Sequence, residues 1–245
     1  MIDVVWADWP APSRIRACQT LRCDGCSAAP YDSFNLAAHV GDDPSAVARN
    51  RQALRAALQL PSEPRWLRQV HGTDVAALPA PGPEPLADAA WTRQPGVVCA
   101  VLTADCLPVL LCSDDGSVVA AAHAGWRGLA NGVLEETLAA LPLPAQRVHA
   151  WLGAAIGPAA FEVGPEVRRS FVDRDAAARD CFAPGAGDRW FADLYALARL
   201  RLHRLGVQSI DGGGACTHRD VARYFSHRRD GACGRMASLI WIEAT

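Results

Sequence analysis

Three short segments each place one metal-ligating side chain beside a tight turn: Gln69-Val70-His71-Gly72, Ala104-Asp105-Cys106-Leu107-Pro108 and His123-Ala124-Gly125-Trp126-Arg127-Gly128. Two imidazoles and a thiolate form a borderline-soft donor set, which suits Zn²⁺ and also copper. Three protein ligands without an evident fourth is the pattern of a catalytic site, because the open position takes water or substrate. Each segment has an ordinary alternative. A lone His at a strand end is usually a satisfied polar side chain. A buried Cys behaves as a small hydrophobe, as Cys99 and Cys112 are expected to. His123-Ala124-Gly125 alone is a plain turn. The trio gains weight as a set, because Cys106 and His123 follow apolar, strand-like runs close in sequence and their side chains can meet at one sheet edge. Asp105 has three readings: a general base, a carboxylate holding a His tautomer, or a helix cap.

Polar groups nearby suggest an anion. A strand, a Gly-containing turn and a helix N-terminus follow His123, and such turns present unpaired backbone N–H groups. Arg127 adds a permanent charge there. In Phe225-Ser226-His227-Arg228-Arg229-Asp230, two arginines suit phosphate or carboxylate, or else form a solvated ion-pair turn. Cys23-Asp24-Gly25-Cys26 has CxxC spacing but no second CxxC and no thioredoxin-like context. Asp211-Gly212-Gly213-Gly214 lacks the GxGxxG order, so it gives no dinucleotide fingerprint.

These side chains need a scaffold. Trp66–Val70, Val97–Thr103, Val118–Ala122, Val148–Leu152 and Met236–Ile242 read as strands, several continuously apolar as in buried sheets. Helical spacing runs from Asp43-Pro44 through Val47, Leu54, Ala57 and Leu58. It recurs at Leu129, Val133, Leu134, Leu138 and Leu141, and again from Leu194 to Leu205, stopping at Gly206. The mixture predicts an α/β or α+β chain. At 245 residues, one domain spanning 1–245 is expected, with Leu78-Pro79-Ala80-Pro81-Gly82-Pro83-Glu84-Pro85 as a surface loop. A second Gly-containing loop is expected near Ala183–Asp188. A net charge of −2 without a Lys/Arg block argues against nucleic acid. No run approaches the roughly 18 apolar residues of a membrane span. An N-terminus without a basic n-region, and nine cysteines in no regular framework, predict a reduced, cytoplasmic protein.

The ordered motifs resemble a known family, the bacterial YfiH-like proteins, also described as laccase-domain or polyphenol oxidoreductase proteins and as purine nucleoside phosphorylases. The matching segments include Pro30–Leu36, His39–Asp43, Gln69–Gly72, Thr103–Val109 and His123–Gly128. They continue with Ile156-Gly157-Pro158, Phe161–Gly164, Phe225–Asp230 and Gly234–Ala237. The resemblance implies a layered α/β/β/α sandwich with mixed sheets, similar to the catalytic domain of cytotoxic necrotizing factor. It implies zinc on His71, Cys106 and His123, which with Asp105 form the candidate catalytic set. Arg22, Asn35, Arg127 and Arg228 become candidate substrate contacts. The implied chemistry is phosphorolysis of adenosine, inosine, guanosine and methylthioadenosine, plus adenosine deamination, with purine nucleosides and phosphate as partners. The chain departs from the family pattern at Asp24-Gly25 (usually Gly-Gly), Ala154 (usually Pro) and His227 (usually Tyr).

Other function classes compete. In a zinc nucleoside enzyme, a metal-activated water attacks C6 of adenine, or phosphate attacks the ribose C1′. A copper phenol oxidase would use the same His₂Cys set, often with an axial Met. The chain holds only Met1 and Met236, and seven His with no His-x-His pair, too few imidazoles for a four-copper centre. A cysteine hydrolase, with Cys106 as nucleophile and His71 or His123 as base, would fit the fold analogy and a peptidoglycan-editing role. A structural zinc would need a fourth protein ligand.

Overall fold

The computed structural model describes residues 2–82 and 84–244. Its strands are β1 (Val4–Trp6), β2 (Ile15–Thr20), β3 (Val75–Ala77), β4 (Ala89–Thr92), β5 (Cys99–Thr103), β6 (Leu107–Ser113), β7 (Val119–Ala124), β8 (Val148–Leu152), β9 (Glu162–Val163), β10 (Phe182–Pro184), β11 (Trp190–Ala192), β12 (Ser209–Gly212) and β13 (Met236–Ile242). Its helices are α1 (Pro44–Leu58), α2 (Trp126–Asn131), α3 (Val133–Ala140), α4 (Pro165–Val172), α5 (Leu194–Arg204) and α6 (His227–Asp230).

Among the described residues, β1-β2-β13-β5 form an antiparallel sheet and β12-β8-β6-β7-β4-β3 a mixed one, with a small sheet β10-β11-β9 beside them. In the mixed sheet β12 runs parallel to β8 and β3 parallel to β4. Strand side chains alternate between faces, and here both faces are buried, which explains the continuously apolar runs. In β6, Leu107, Val109 and Leu111 join the core under the α2–α5 layer, while Leu110 and Cys112 point between the two large sheets. In β13, Ile240 and Ile242 enter the inter-sheet core, while Leu239 and Trp241 pack with Leu54 of α1. The layers are therefore α1, four-stranded sheet, six-stranded sheet, then α2–α5. This is the α/β/β/α sandwich that the family resemblance implies.

Local signals account for most boundaries. Pro44 opens α1, and Asp43 caps it by accepting from the Ser45 N–H at 2.9 Å. Two expectations change. The second predicted helix is broken by Gly132, whose φ of +106° ends α2 and begins α3. Trp66–Val70 is not a strand, and only isolated bridges form, Arg65 to Cys99 and Arg68 to Leu86. The Gln69 side chain takes over the pairing with β5: its Oε1 accepts from the Leu102 N–H at 2.7 Å and its Nε2 donates to the Leu102 carbonyl at 2.9 Å. In the Pro-rich segment Arg65 donates to the carbonyls of Ala80 and Gly82, at 2.7 and 2.8 Å. Pro83 of that segment lies outside the described residues.

Candidate metal centre

The trio meets at one end of the layer between the two large sheets. His123 sits on β7 with the parity of Val119 and Ala121, whose side chains face the inter-sheet core. Cys106 lies on the turn from β5 to β6, where Asp105 takes φ +85°. His71 also has a positive φ, +60°, immediately before Gly72. The donor atoms of His71, Cys106 and His123 all lie within 4.8 Å of one another. Cys106 Sγ is 3.8 Å from His71 Nε2, and the two imidazole rings stand edge to face with centroids 4.8 Å apart. Zinc bonds to N and S would put tetrahedral donors roughly 3.3–3.6 Å apart, so the trio is a slightly opened form of that geometry. Gly125 keeps the space clear, because a Cβ there would stand 2.8 Å from Cys106 Sγ and 3.1 Å from His71 Cδ2. The donor set and this clearance fit one borderline-soft ion with an open position.

Asp88, which belongs to none of the sequence motifs, organises the site. Its side chain is fully buried, immediately before β4. One carboxylate oxygen accepts from His123 Nδ1 at 2.8 Å and the His71 N–H at 2.9 Å. The other accepts from the N–H groups of Gly72 and Val70, at 2.7 and 3.1 Å. With Nδ1 directed at Asp88, Nε2 of His123 is the ring nitrogen left to face the trio, and its lone pair is available to a metal once its proton is lost. The one sequence signal is a carboxylate inside the apolar run Leu86-Ala87-Asp88-Ala89-Ala90.

Asp105 does not hold a histidine; that role falls to Asp88. Asp105 accepts from the Thr217 hydroxyl at 2.6 Å and from the Arg228 N–H at 2.7 Å in the first turn of α6. It is not the cap residue, since Ser226 caps α6 by accepting from the Arg229 N–H; Asp105 instead ties the β5–β6 turn to the first turn of that distant helix.

Electrostatics within the trio are coupled. Burial pushes the Cys106 thiol up, but the imidazoles of His123 and His71 outweigh it and bring the thiol down to about 6. Burial likewise pushes His123 down, while the Cys106 thiolate and the Asp88 hydrogen bond raise it to about 9. Without metal, Cys106 and His123 form a thiolate–imidazolium pair.

The trio floors a cleft of about 410 Å³, lined also by Gln69, Thr103, Arg127, His39, His227 and Arg235. That volume lies in the range of small-molecule sites. A concavity of similar size near Arg16 and Trp241 contains none of the trio. Of the predicted substrate contacts, only Arg127 lines the cleft. Its guanidinium lies 4.6 Å from the Trp126 ring centroid and makes no ion pair among the described residues. Asn35 is a correction: it is completely buried, and its amide is consumed by Ala37, Asp42 and the Arg235 N–H. Arg22 points elsewhere, donating to the Asp32 carbonyl at 2.9 Å and stacking on Phe225. Arg228 donates to the Glu162 carbonyl at 2.9 Å and reaches the site only through its backbone bond to Asp105. His39 and Arg235 are cleft residues that sequence reasoning places in motifs but not in the site. Cys23 and Cys26 are free thiols outside the cleft lining.

One His–Cys–His cluster in a cleft between stacked sheets, with a carboxylate behind one imidazole, defines a candidate mononuclear metal protein of the α/β/β/α class. Residues 16–243 match the family described as multi-copper polyphenol oxidoreductase laccase. The chain belongs to that family, in which the YfiH-like proteins fall. A purine nucleoside phosphorylase of Pseudomonas aeruginosa is 54% identical over 237 residues, spanning 96% of this chain and 97% of that protein. Purine nucleoside phosphorylase YfiH of Escherichia coli is 52% identical over 243 residues, 99% of this chain and 100% of that protein. A crystal structure of a Neisseria meningitidis protein superposes with a TM-score of 0.95 at 48% identity, covering 98% of this chain and 99% of that one.

Proposed function

We propose that the protein is a zinc-dependent purine nucleoside phosphorylase that also deaminates adenosine. The observation that carries this reading is the placement in one cleft of the His71–Cys106–His123 cluster and of Arg127, which makes no ion pair among the described residues. The names of the Pseudomonas aeruginosa and Escherichia coli relatives support its phosphorylase part. Zinc, when bound, supplies Lewis-acid charge to an oxygen in the open position. Cys106 is then a thiolate ligand, and Asp88 holds His123 neutral at Nε2 and oriented. Arg127 grips phosphate with a permanent, bidentate-capable charge. The helix it opens, α2, has six residues, so the guanidinium carries most of the anion recognition. In phosphorolysis a phosphate oxygen bonds to C1′ of the ribose while the C1′–N9 bond breaks and the purine leaves with the electron pair. The protein's part is to hold phosphate and nucleoside in line within the cleft. The substrates proposed are adenosine, inosine, guanosine and methylthioadenosine.

The cation proposed is zinc rather than several coppers, because one His/Cys/Asp/Glu metal cluster occurs among the described residues. A cysteine-hydrolase reading also has a specific support, since Cys106, His123 and Asp88 stand in a nucleophile–base–carboxylate order. The second imidazole against Cys106 Sγ favours metal ligation instead.

The test is chromatography of the products from inosine with and without phosphate. Hypoxanthine and ribose 1-phosphate, formed only with phosphate, are expected. Free ribose at the same rate without phosphate would contradict phosphorolysis. Arg127→Ala is expected to keep its metal and to raise the KM for phosphate about 10- to 150-fold, the loss of one charge-assisted contact. An unchanged phosphate KM would make Arg127 a bystander.

A further inference from the structure

Phosphorolysis has a leaving group as well as a nucleophile. The purine departs with the electron pair of the C1′–N9 bond, and it leaves more easily if it gains a proton as it goes. The cleft lining offers few acids. Arg127 and Arg235 are permanently charged and release no proton. His71, Cys106 and His123 are the ligand set. Gln69 and Thr103 hold no acidic proton, and no carboxyl group lines the cleft among the described residues. Two imidazoles remain, those of His39 and His227. Burial, and then the Arg235 guanidinium, hold His39 below the ordinary histidine range and so disfavour the form that donates.

His227 opens α6 and is exposed to the cleft, so a bound molecule can reach it. Its Nδ1 lies 2.6 Å from the Gly231 carbonyl, which only accepts, so Nδ1 carries a proton. That bond orients the ring and leaves Nε2 as the nitrogen that gains and loses a proton. His227 also enters the cleft from a different part of the fold than Arg127. Arg127 follows β7 of the six-stranded sheet, whereas His227 lies on the segment that leads into β13 of the four-stranded sheet. An in-line displacement puts phosphate and purine on opposite sides of C1′, and it needs a separate support for each.

We propose that His227 is the catalytic acid that protonates the departing purine, an inference that rests on the phosphorylase reading above. As a phosphate oxygen bonds to C1′ and the C1′–N9 bond breaks, the electron pair passes into the purine and the Nε2 proton of His227 passes to N7. The imidazole is left neutral, still bonded to Gly231 through Nδ1, and regains its proton from water. The experiment compares inosine with 7-methylinosine in saturating phosphate, using the zinc-loaded parent, His227→Phe and His227→Gln. The base of 7-methylinosine already carries its positive charge and leaves neutral without a proton. Both variants are expected to lose roughly 10²- to 10⁴-fold in kcat/KM for inosine, the usual value of acid catalysis, and to cleave 7-methylinosine nearly as the parent does. Each comparison is taken within one variant, so a lower yield of folded protein cancels. If the parent does not turn over 7-methylinosine, 6-chloropurine riboside takes its place, and the loss is expected to shrink with this better leaving group. Equal losses with both substrates, an unchanged rate with inosine, or recovery of that rate by the glutamine amide, which hydrogen-bonds but releases no proton, would each overturn the acid role alone. A parent that cleaves no nucleoside would overturn the phosphorylase reading, and this assignment with it.

Discussion

Asp88 accepts from the Nδ1 of His123 and from three consecutive backbone N–H groups around His71, so it orders two of the three ligands at once. Carboxylates placed behind a ligating histidine are commonly worth about 10–100-fold in metal affinity. Asp88→Asn is expected to weaken zinc binding by about that factor in competition with a chromogenic chelator, while Asp105→Asn leaves it unchanged. Equal losses in the two variants would remove the distinction drawn between them. Cys106 offers a pH test. Its thiol is held down to about 6 by His123 and His71 against the effect of burial, so in metal-free protein the thiolate persists above that pH and is lost below it. Alkylation of the Cys106 peptide by iodoacetamide, followed by mass spectrometry, should rise through a midpoint near 6, and His123→Ala should move it upward. A midpoint at the ordinary thiol value in the parent protein would show that the imidazoles do not act on Cys106. At this scale the sequence reveals the ligands, because His and Cys beside turns are conspicuous. It hides Asp88, which is a single carboxylate in an alanine-rich run.

Elements position the ligands through backbone shape as much as through side chains. The turn after β7 must pass so close to Cys106 and His71 that Gly125 has no room for a Cβ. Gly125→Ala is expected to lose most of its zinc while keeping a native circular dichroism spectrum. Gly187→Ala, at a positive φ but with open space where its Cβ would stand, should cost only modest stability and no metal. Normal zinc in Gly125→Ala would show that the turn yields easily. β8 and β13 match their predicted spans because burial on both faces writes them as largely apolar runs. The same signal fails at Trp66–Val70, where side-chain pairing by Gln69 replaces a ladder, and at Gly132, where one left-handed residue divides an apolar helical stripe. The short β9, β10 and β11 carry too few residues for a period to show.

For the whole molecule, the function depends on two sheets being stacked so that β5, β7 and the segments beside them open into one cleft. The six-stranded order β12-β8-β6-β7-β4-β3 and the inter-sheet contacts join residues distant in sequence. That is why residue type and spacing make the convergence of His71, Cys106 and His123 plausible but do not prove it, and the family resemblance adds the rest. Leu110 is fully buried in the layer between the sheets. Leu110→Ala should cost about 2–5 kcal/mol in urea unfolding, and a negligible loss would mean that this layer is not a packed core. Among the described residues no helix is long and apolar enough to cross a membrane.

On the proposed reading, His71, Cys106 and His123 together hold one zinc ion on which nucleoside phosphorolysis depends. Elemental analysis of the purified protein and of His71→Ala, Cys106→Ala and His123→Ala, each paired with the inosine assay, tests it most directly. About one zinc per chain in the parent, with metal and activity lost together in all three folded variants, is the predicted result. Several coppers per chain, or zinc retained in all three variants, would contradict it.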